Sequence, residues 1–192
     1  MHEQRERLLL ERVLSQLAEE ARMLGAHGVI GVTLRMRPLG TEHDYPIMEV
    51  TASGTAVAAQ GVAGASDPFT TTLSGPEILK LSTRGWAPVR VAVGIGHVKG
   101  AAGRGSRRAL LTVRNGEVRQ LSELRQTSLE IAVQSLESDA RVGAGLVVGV
   151  EETVTAEHHE VHTRLVGSAV CHLRAGRAPA TLDFLRVMDL RE

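Results

Sequence analysis

Apolar positions along the first two dozen residues recur every three or four: Leu10, Val13, Leu14, Leu17, Ala21 and Leu24, with Glu and Arg between them. That period predicts an amphipathic helix over residues 3–24. Gly25 stands where a helix C-cap glycine belongs. The pattern then changes. Residues 28–36, GVIGVTLRM, are β-branched and read as a strand, and residues 47–58 read as its hairpin partner. The polar RPLGTEHDYP between them, with its Pro and Gly, reads as a loop. Gly54 within the second strand marks a bulge or a close backbone approach. Ser74-Gly75-Pro76-Glu77 has the spacing of a capping box with proline in the first turn, so a short helix is expected over 76–84, ending at Gly85. Further on, 89–98 reads as a strand and 99–108 as a basic glycine-rich loop. RNGE between LLTV and VRQL gives a hairpin signal in 109–121. A long helix is expected over 122–142, then a second hairpin from 146–154 and 160–173.

The chain repeats itself. EEARMLGAHGVIGV (19–32) lies without a gap over ESDARVGAGLVVGV (137–150), and TASGTAV (51–57) over RLVGSAV (164–170), with five residues fewer in the second loop. Gly25 meets Gly143, Ala26 meets Ala144, Gly31 meets Gly149, and Gly54 meets Gly167. An ordered recurrence of helix, Gly-Ala corner, strand, loop and strand reads as a duplication. It divides the chain into a first unit (1–59), a linker with a short capped helix (60–88), a second unit (89–173) and a C-terminal segment (174–192). The expected fold class is α+β: two tandem units, each with a helix followed by a hairpin.

Composition narrows the function. The 192 residues carry 22 basic and 22 acidic side chains, so net charge gives no reason to expect nucleic acid or an anionic membrane. Only Tyr45, Phe69, Trp86 and Phe184 are aromatic, too few for base-stacking platforms. The single Cys171 excludes an intrachain disulfide and suits a reducing compartment. The charged N-terminus has no apolar core of a secretory signal, and no apolar run is long enough to span a bilayer, so a cytoplasmic protein is expected.

The glycines that look like a ligand loop follow a helix rather than precede one, and a helix C-terminus disfavours phosphate. GIGHVKGAAGRG (94–105) resembles a nucleotide loop in composition but lacks GxGxxG and a GK[ST] ending. For metal chemistry, the candidates are His158, His162, Cys171 and His172, from EHHEVH and the strand after it; Cys with His suits zinc or copper. On one strand His158 and His162 are roughly 13 Å apart, so a site needs partners from another strand or chain. The alternative is a solvated loop and a polar strand face. His27, His43 and His97 are isolated. Ser53, Thr55 and Ser168 have no base nearby in sequence, Glu151-Glu152 suits a solvated strand end, and no GxSxG, HExxH or CxxC occurs. No catalytic residue is assigned.

LGAHGVIGV followed by EVTASGTAV resembles the signature of the YbjQ-like family, labelled putative heavy-metal-binding. VGAGLVVGV with VGSAV is a fainter likeness, and residues 68–98 resemble the opening of a second unit in two-copy members. The resemblance implies a dodecin-like two-layer β-α-β-β unit and pentameric rings. The first unit has no strand before its helix, and residues 181–190, TLDFLRVMDL, are a candidate donor. The Arg-Glu pair of the family helix is not matched: Leu10-Glu11 and Ser128-Leu129 stand there. The function expected is a non-enzymatic, oligomer-forming structural or interaction module. A heavy-metal or small-ligand binder with sites at subunit interfaces comes second, and an enzyme a distant third.

Overall fold

The computed structural model describes residues 2–42, 45–60, 63–100, 116–140, 146–157 and 160–173. The fold is α+β, with three helices and two three-stranded sheets among these residues. Helix α1 (His2–Met23) runs into the hairpin of β1 (Gly28–Glu42) and β2 (Tyr45–Val57). A short β3 (Phe69–Thr70) returns to pair in parallel with β1, giving the order β2-β1-β3. Helix α2 (Gly75–Ser82) leads to β4 (Trp86–Lys99), helix α3 (Gly116–Ala140) follows, and β5 (Leu146–Glu157) and β6 (Glu160–His172) complete the second sheet in the order β4-β6-β5.

Two departures from the sequence reading concern boundaries. The expected polar loop at 37–46 is largely strand: pairing continues to Glu42 opposite Tyr45, across a register shift between Pro38 and Gly40. Cross-strand hydrogen bonds outweigh composition there, and Gly40, at φ 141°, takes up the irregularity. The hairpin expected over 109–121 is not formed by its second half. Residues 116–121 are the first turns of α3, because Val118, Leu121 and Leu124 continue the helical period into the segment that packs. Its first half, with most of the basic glycine-rich loop, lies outside the described residues, as do Gly143, Ala144 and the segment 174–192.

One apolar core joins Leu10, Leu17 and Ala21 of α1 to Val29, Val32 and Ala56 of the first hairpin and to Val91, Val93 and Ile95 on one face of β4. The opposite face of the second sheet packs on α3 through Ala92, Ala132, Leu136, Ala140, Leu165 and Ala169. The second sheet is thus covered on both sides. Alternation along β4 does this: odd positions face α1 and even positions face α3. Gly94 and Gly96 are among the even ones. A Cβ on Gly94 would lie 2.2 Å from the Ala132 carbonyl oxygen, and one on Gly96 1.9 Å from that of Ser128. The glycines of GIGH therefore serve backbone-close helix packing.

The bulge glycines have one geometry in both units. Gly31 and Gly149 adopt φ 61° and 62°, each inside a register shift of its hairpin, between Ile30 and Thr33 and between Val148 and Glu151. The bulge sits on the first strand of each hairpin. Gly54, on the facing strand, marks a close approach instead, since its Cβ would lie 2.5 Å from Val29 Cγ1. Gly167 is similarly close to Val147, at 2.8 Å. Gly25, at φ 68°, ends α1 in the left-handed conformation.

Candidate functional site

The densest group of ionisable side chains lies where α1 crosses the second sheet. β4 and β6 are antiparallel with His97 opposite His162, a pairing that brings their rings to 6.2 Å between centroids. Each imidazole meets a carboxylate. His162 Nε2 is 2.7 Å from Glu6 Oε2 of α1, and His97 Nε2 is 3.0 Å from Glu160 Oε2 of β6. Lys99 Nζ approaches the other oxygen of Glu160 at 2.7 Å, and Arg164 Nη1 lies 3.7 Å from Glu6 Oε1. Glu6 Oε1 is buried and has no hydrogen bond among the described residues, so Arg164 meets it by charge alone. Lys99, and then His97, hold the Glu160 carboxyl below the usual carboxylate range. Arg164 also reaches the Met36 Sδ of β1. This is an ionic seam between the units.

A second polar group is centred on Asp139, near the end of α3. Its Oδ1 accepts from Arg90 at 2.9 Å and lies 3.4 Å from Arg7 Nη2, and its Oδ2 accepts from the Val93 N–H at 3.0 Å. Arg90 also donates to the Asp139 carbonyl. Three elements therefore converge on one nearly buried carboxylate. They border an open cleft of about 690 Å³, walled by Leu10, Leu14, Val89 and Val91. The cleft offers apolar walls, with Arg7, Arg90 and Asp139 already paired with one another, which suits packing rather than the capture of a charged ligand.

Of the four metal candidates, the three that are described, His162, Cys171 and His172, are not gathered. His158 lies outside the described residues. Cys171 and His172 sit opposite Ala87 and Trp86, nine and ten residues along β6 from His162, roughly 30 Å away at strand rise. His172 makes an edge contact with Trp86, with centroids 5.1 Å apart. Among the described residues, no group of three or more His, Cys, Asp or Glu is placed to hold an ion. Ser168 is buried and bonded to Thr71 Oγ1 at 2.8 Å, to the Thr72 N–H at 2.9 Å and to Thr72 Oγ1 at 2.7 Å. It fastens the segment after β3 to β6. Sequence reasoning missed Glu6, Asp139 and the His97–His162 pairing. The last has no local signal, because β4 and β6 pair across the intervening α3 and β5.

Residues 3–60 match the YbjQ family, described as putative heavy-metal-binding. Over 188 aligned residues, which cover 92% of this chain and 70% of the relative, the chain is 31% identical to the encapsulin nanocompartment protein Rv1762c of Mycobacterium tuberculosis. No helix among the described residues is long and apolar enough to cross a membrane.

Proposed function

The chain belongs to the family of that mycobacterial nanocompartment protein, and from this we propose that it is a non-enzymatic, self-assembling structural module that builds or joins a protein compartment in the cytoplasm. The second unit is read as a second copy of the family unit matched at 3–60, joined in tandem. One observation carries the assembly reading. β6 is flanked on both sides, by β5 and β4, whereas its counterpart β2 is flanked by β1 alone among the described residues. The first sheet therefore presents a 13-residue strand with one open edge. Such an edge is a template for pairing with another chain. Exposed Met48 on β2 and exposed Leu8, Leu9, Met23 and Leu24 on α1 add apolar surface. Each copy completes its first sheet at the expense of solvent exposure when a neighbour pairs there, and a closed ring, in the pentameric form implied by the family resemblance, leaves no first-unit edge open.

Native mass spectrometry of untagged protein at micromolar concentration tests this. Discrete multiples of the 20.6 kDa chain are expected, and a monomer throughout the range would refute it. Heavy-metal binding is the second reading, supported by the family's label. Metal analysis of the same untagged sample, with His162→Ala as the comparison, separates the two. A stoichiometric zinc or copper ion lost in the variant favours binding.

A further inference from the structure

A closed ring of identical chains cannot be built from one strand edge. An edge that pairs with its own copy makes a two-fold contact, which closes at two chains, whereas a larger ring needs two different surfaces that meet head to tail. The first sheet offers one of them at β2. The other must lie elsewhere on the chain.

Three long strands border the two sheets among the described residues: β2, β4 and β5. The outer edge of β4 is already taken. Its Val91 N–H donates to Thr70 Oγ1 at 3.1 Å and its Val93 N–H to Asp139 Oδ2 at 3.0 Å, so side chains of the same copy hold the groups that a neighbouring strand would use. β5 carries no such cover among the described residues. Leu73 stands against Gly149, but Leu146 and Val150 on either side are 49% and 46% exposed.

The ladders fix which backbone groups face out. Because the Val91 and Val93 N–H groups point away from β6, alternation turns Ala92 and Gly94 towards it, opposite Gly167 and Leu165. Val166 and Arg164 then face β5 at Glu151 and Thr153, and Glu152, Val154 and Ala156 present their N–H and C=O groups to the open side. On the first sheet the Val29 carbonyl accepts from the Thr71 N–H, so Gly28 and Ile30 face β2 at Val57 and Thr55. Val50, Ala52 and Gly54 therefore face out.

Charge selects the pairing. β5 has no basic residue, and its Glu151 and Glu152 are exposed; two β5 edges would set these carboxylates against their own copies. Arg125 pairs with Glu152 at 3.6 Å, so Glu151 is left without an ion pair among the described residues. Beside β2 the sign is reversed. Arg37 of β1 pairs with Glu49 at 3.4 Å, and exposed Arg35, opposite Thr51, is left without one among the described residues. Beyond Pro46, β2 has neither proline nor lysine to blunt its edge. The two strands also match in length, at 13 and 12 residues.

We infer that β2 of one copy pairs with β5 of the next, head to tail, carrying one continuous sheet across each junction. The inference rests on the self-assembly proposed above and names the surface that β2 meets.

Proline removes an outward N–H without breaking the ladder inside the copy. Ala52→Pro and Val154→Pro, each in the full chain, are expected to be monomers by native mass spectrometry under conditions in which the native protein assembles. Mixed in equal amounts, they should form a heterodimer and stop there, because only β5 of the first and β2 of the second remain open. Hydrogen exchange reads the junction from its far side. In Ala52→Pro, whose β5 is unaltered, amides of 152, 154 and 156 should exchange at least tenfold faster than in the native assembly, while those of 29–33 keep their rate and report an intact first unit. Undiminished assembly of Val154→Pro, or a mixture that yields no heterodimer, would overturn the pairing and leave the assembly reading standing. A native protein that is monomeric throughout refutes the assembly reading itself, and the pairing with it.

Discussion

Leu10 in α1 and Ser128 in α3 occupy equivalent places in the two halves of the repeat, and both are fully buried, at 1% and 0% exposure. Their surroundings are opposite. Leu10 fills an apolar core shared by α1, the first hairpin and β4. Ser128 lies against backbone: its hydroxyl donates to the Gly96 carbonyl at 2.9 Å and is 2.9 Å from Thr163 Oγ1. A leucine there could not fit over Gly96. One helix is held by side-chain volume and the other by close approach to a strand kept bare by Gly94 and Gly96. The same helix-and-hairpin plan thus tolerates two kinds of core, and the difference follows from position. α1 touches two sheets and needs bulk to reach both, whereas α3 covers one face of one sheet.

Substitutions can break that comparison, beginning with the most damaging. Gly96→Ala places a methyl group against the backbone of α3, which cannot rotate away. We expect a loss of more than about 3 kcal/mol in urea unfolding, whereas Gly54→Ala, which meets chiefly Val29 Cγ1, should cost about 1–3 kcal/mol. Equal losses would mean that α3 is less tightly seated than its contacts imply. Next, Leu10→Ala should cost about 2–5 kcal/mol from lost burial and the cavity left behind. Ser128→Ala should cost about 1–2 kcal/mol, from the hydrogen bonds it removes. A reversal of that order in the same denaturation assay would overturn the contrast between the two cores.

Gly31→Ala and Gly149→Ala sharpen the likeness instead. Each forces a left-handed residue at about 1–2 kcal/mol, and Gly149→Ala should be the worse because its Cβ would lie 2.9 Å from Leu73 Cδ2. Thermal melting of the pair reads the difference. The smallest effect concerns pH. Glu160 is held below its ordinary pKa by Lys99 and then His97, so its contribution is present above about pH 4.3 and fades as pH falls through the lower folded value. Lys99→Ala should therefore flatten the acid limb of a stability–pH curve slightly, and NMR titration of Glu160 should show its midpoint rise. An unchanged midpoint would remove the ion pair from the account.

Much of the plan was legible in the chain. Period and capping placed α1 and α2, and the recurrence of Gly-Ala, strand and Gly-Ser/Thr-Ala-Val marked both hairpins. Gly31 and Gly149 carry the same conformation because the same bulge needs it. Less legible were the ends of strands, since Arg37 and Thr41 are polar yet paired, and composition does not record a hydrogen-bond ladder. The ionic seam was hidden for another reason. Glu6 and His162 are 156 residues apart, and nothing local to either announces the other. Asp139 reads as one more charge on a helix until β4 brings Arg90 and the Val93 N–H beneath it.

That carboxylate has a consequence for shape on a larger scale. Asp139 links α1, α3 and β4 through Arg7, Arg90 and the Val93 N–H. In a closed assembly of identical chains, the angle contributed by each copy sets how many copies complete the circle. In the assembly proposed above, a side chain inside one copy would bear on that curvature, and Asp139→Asn is expected to broaden the oligomer sizes that native mass spectrometry reads.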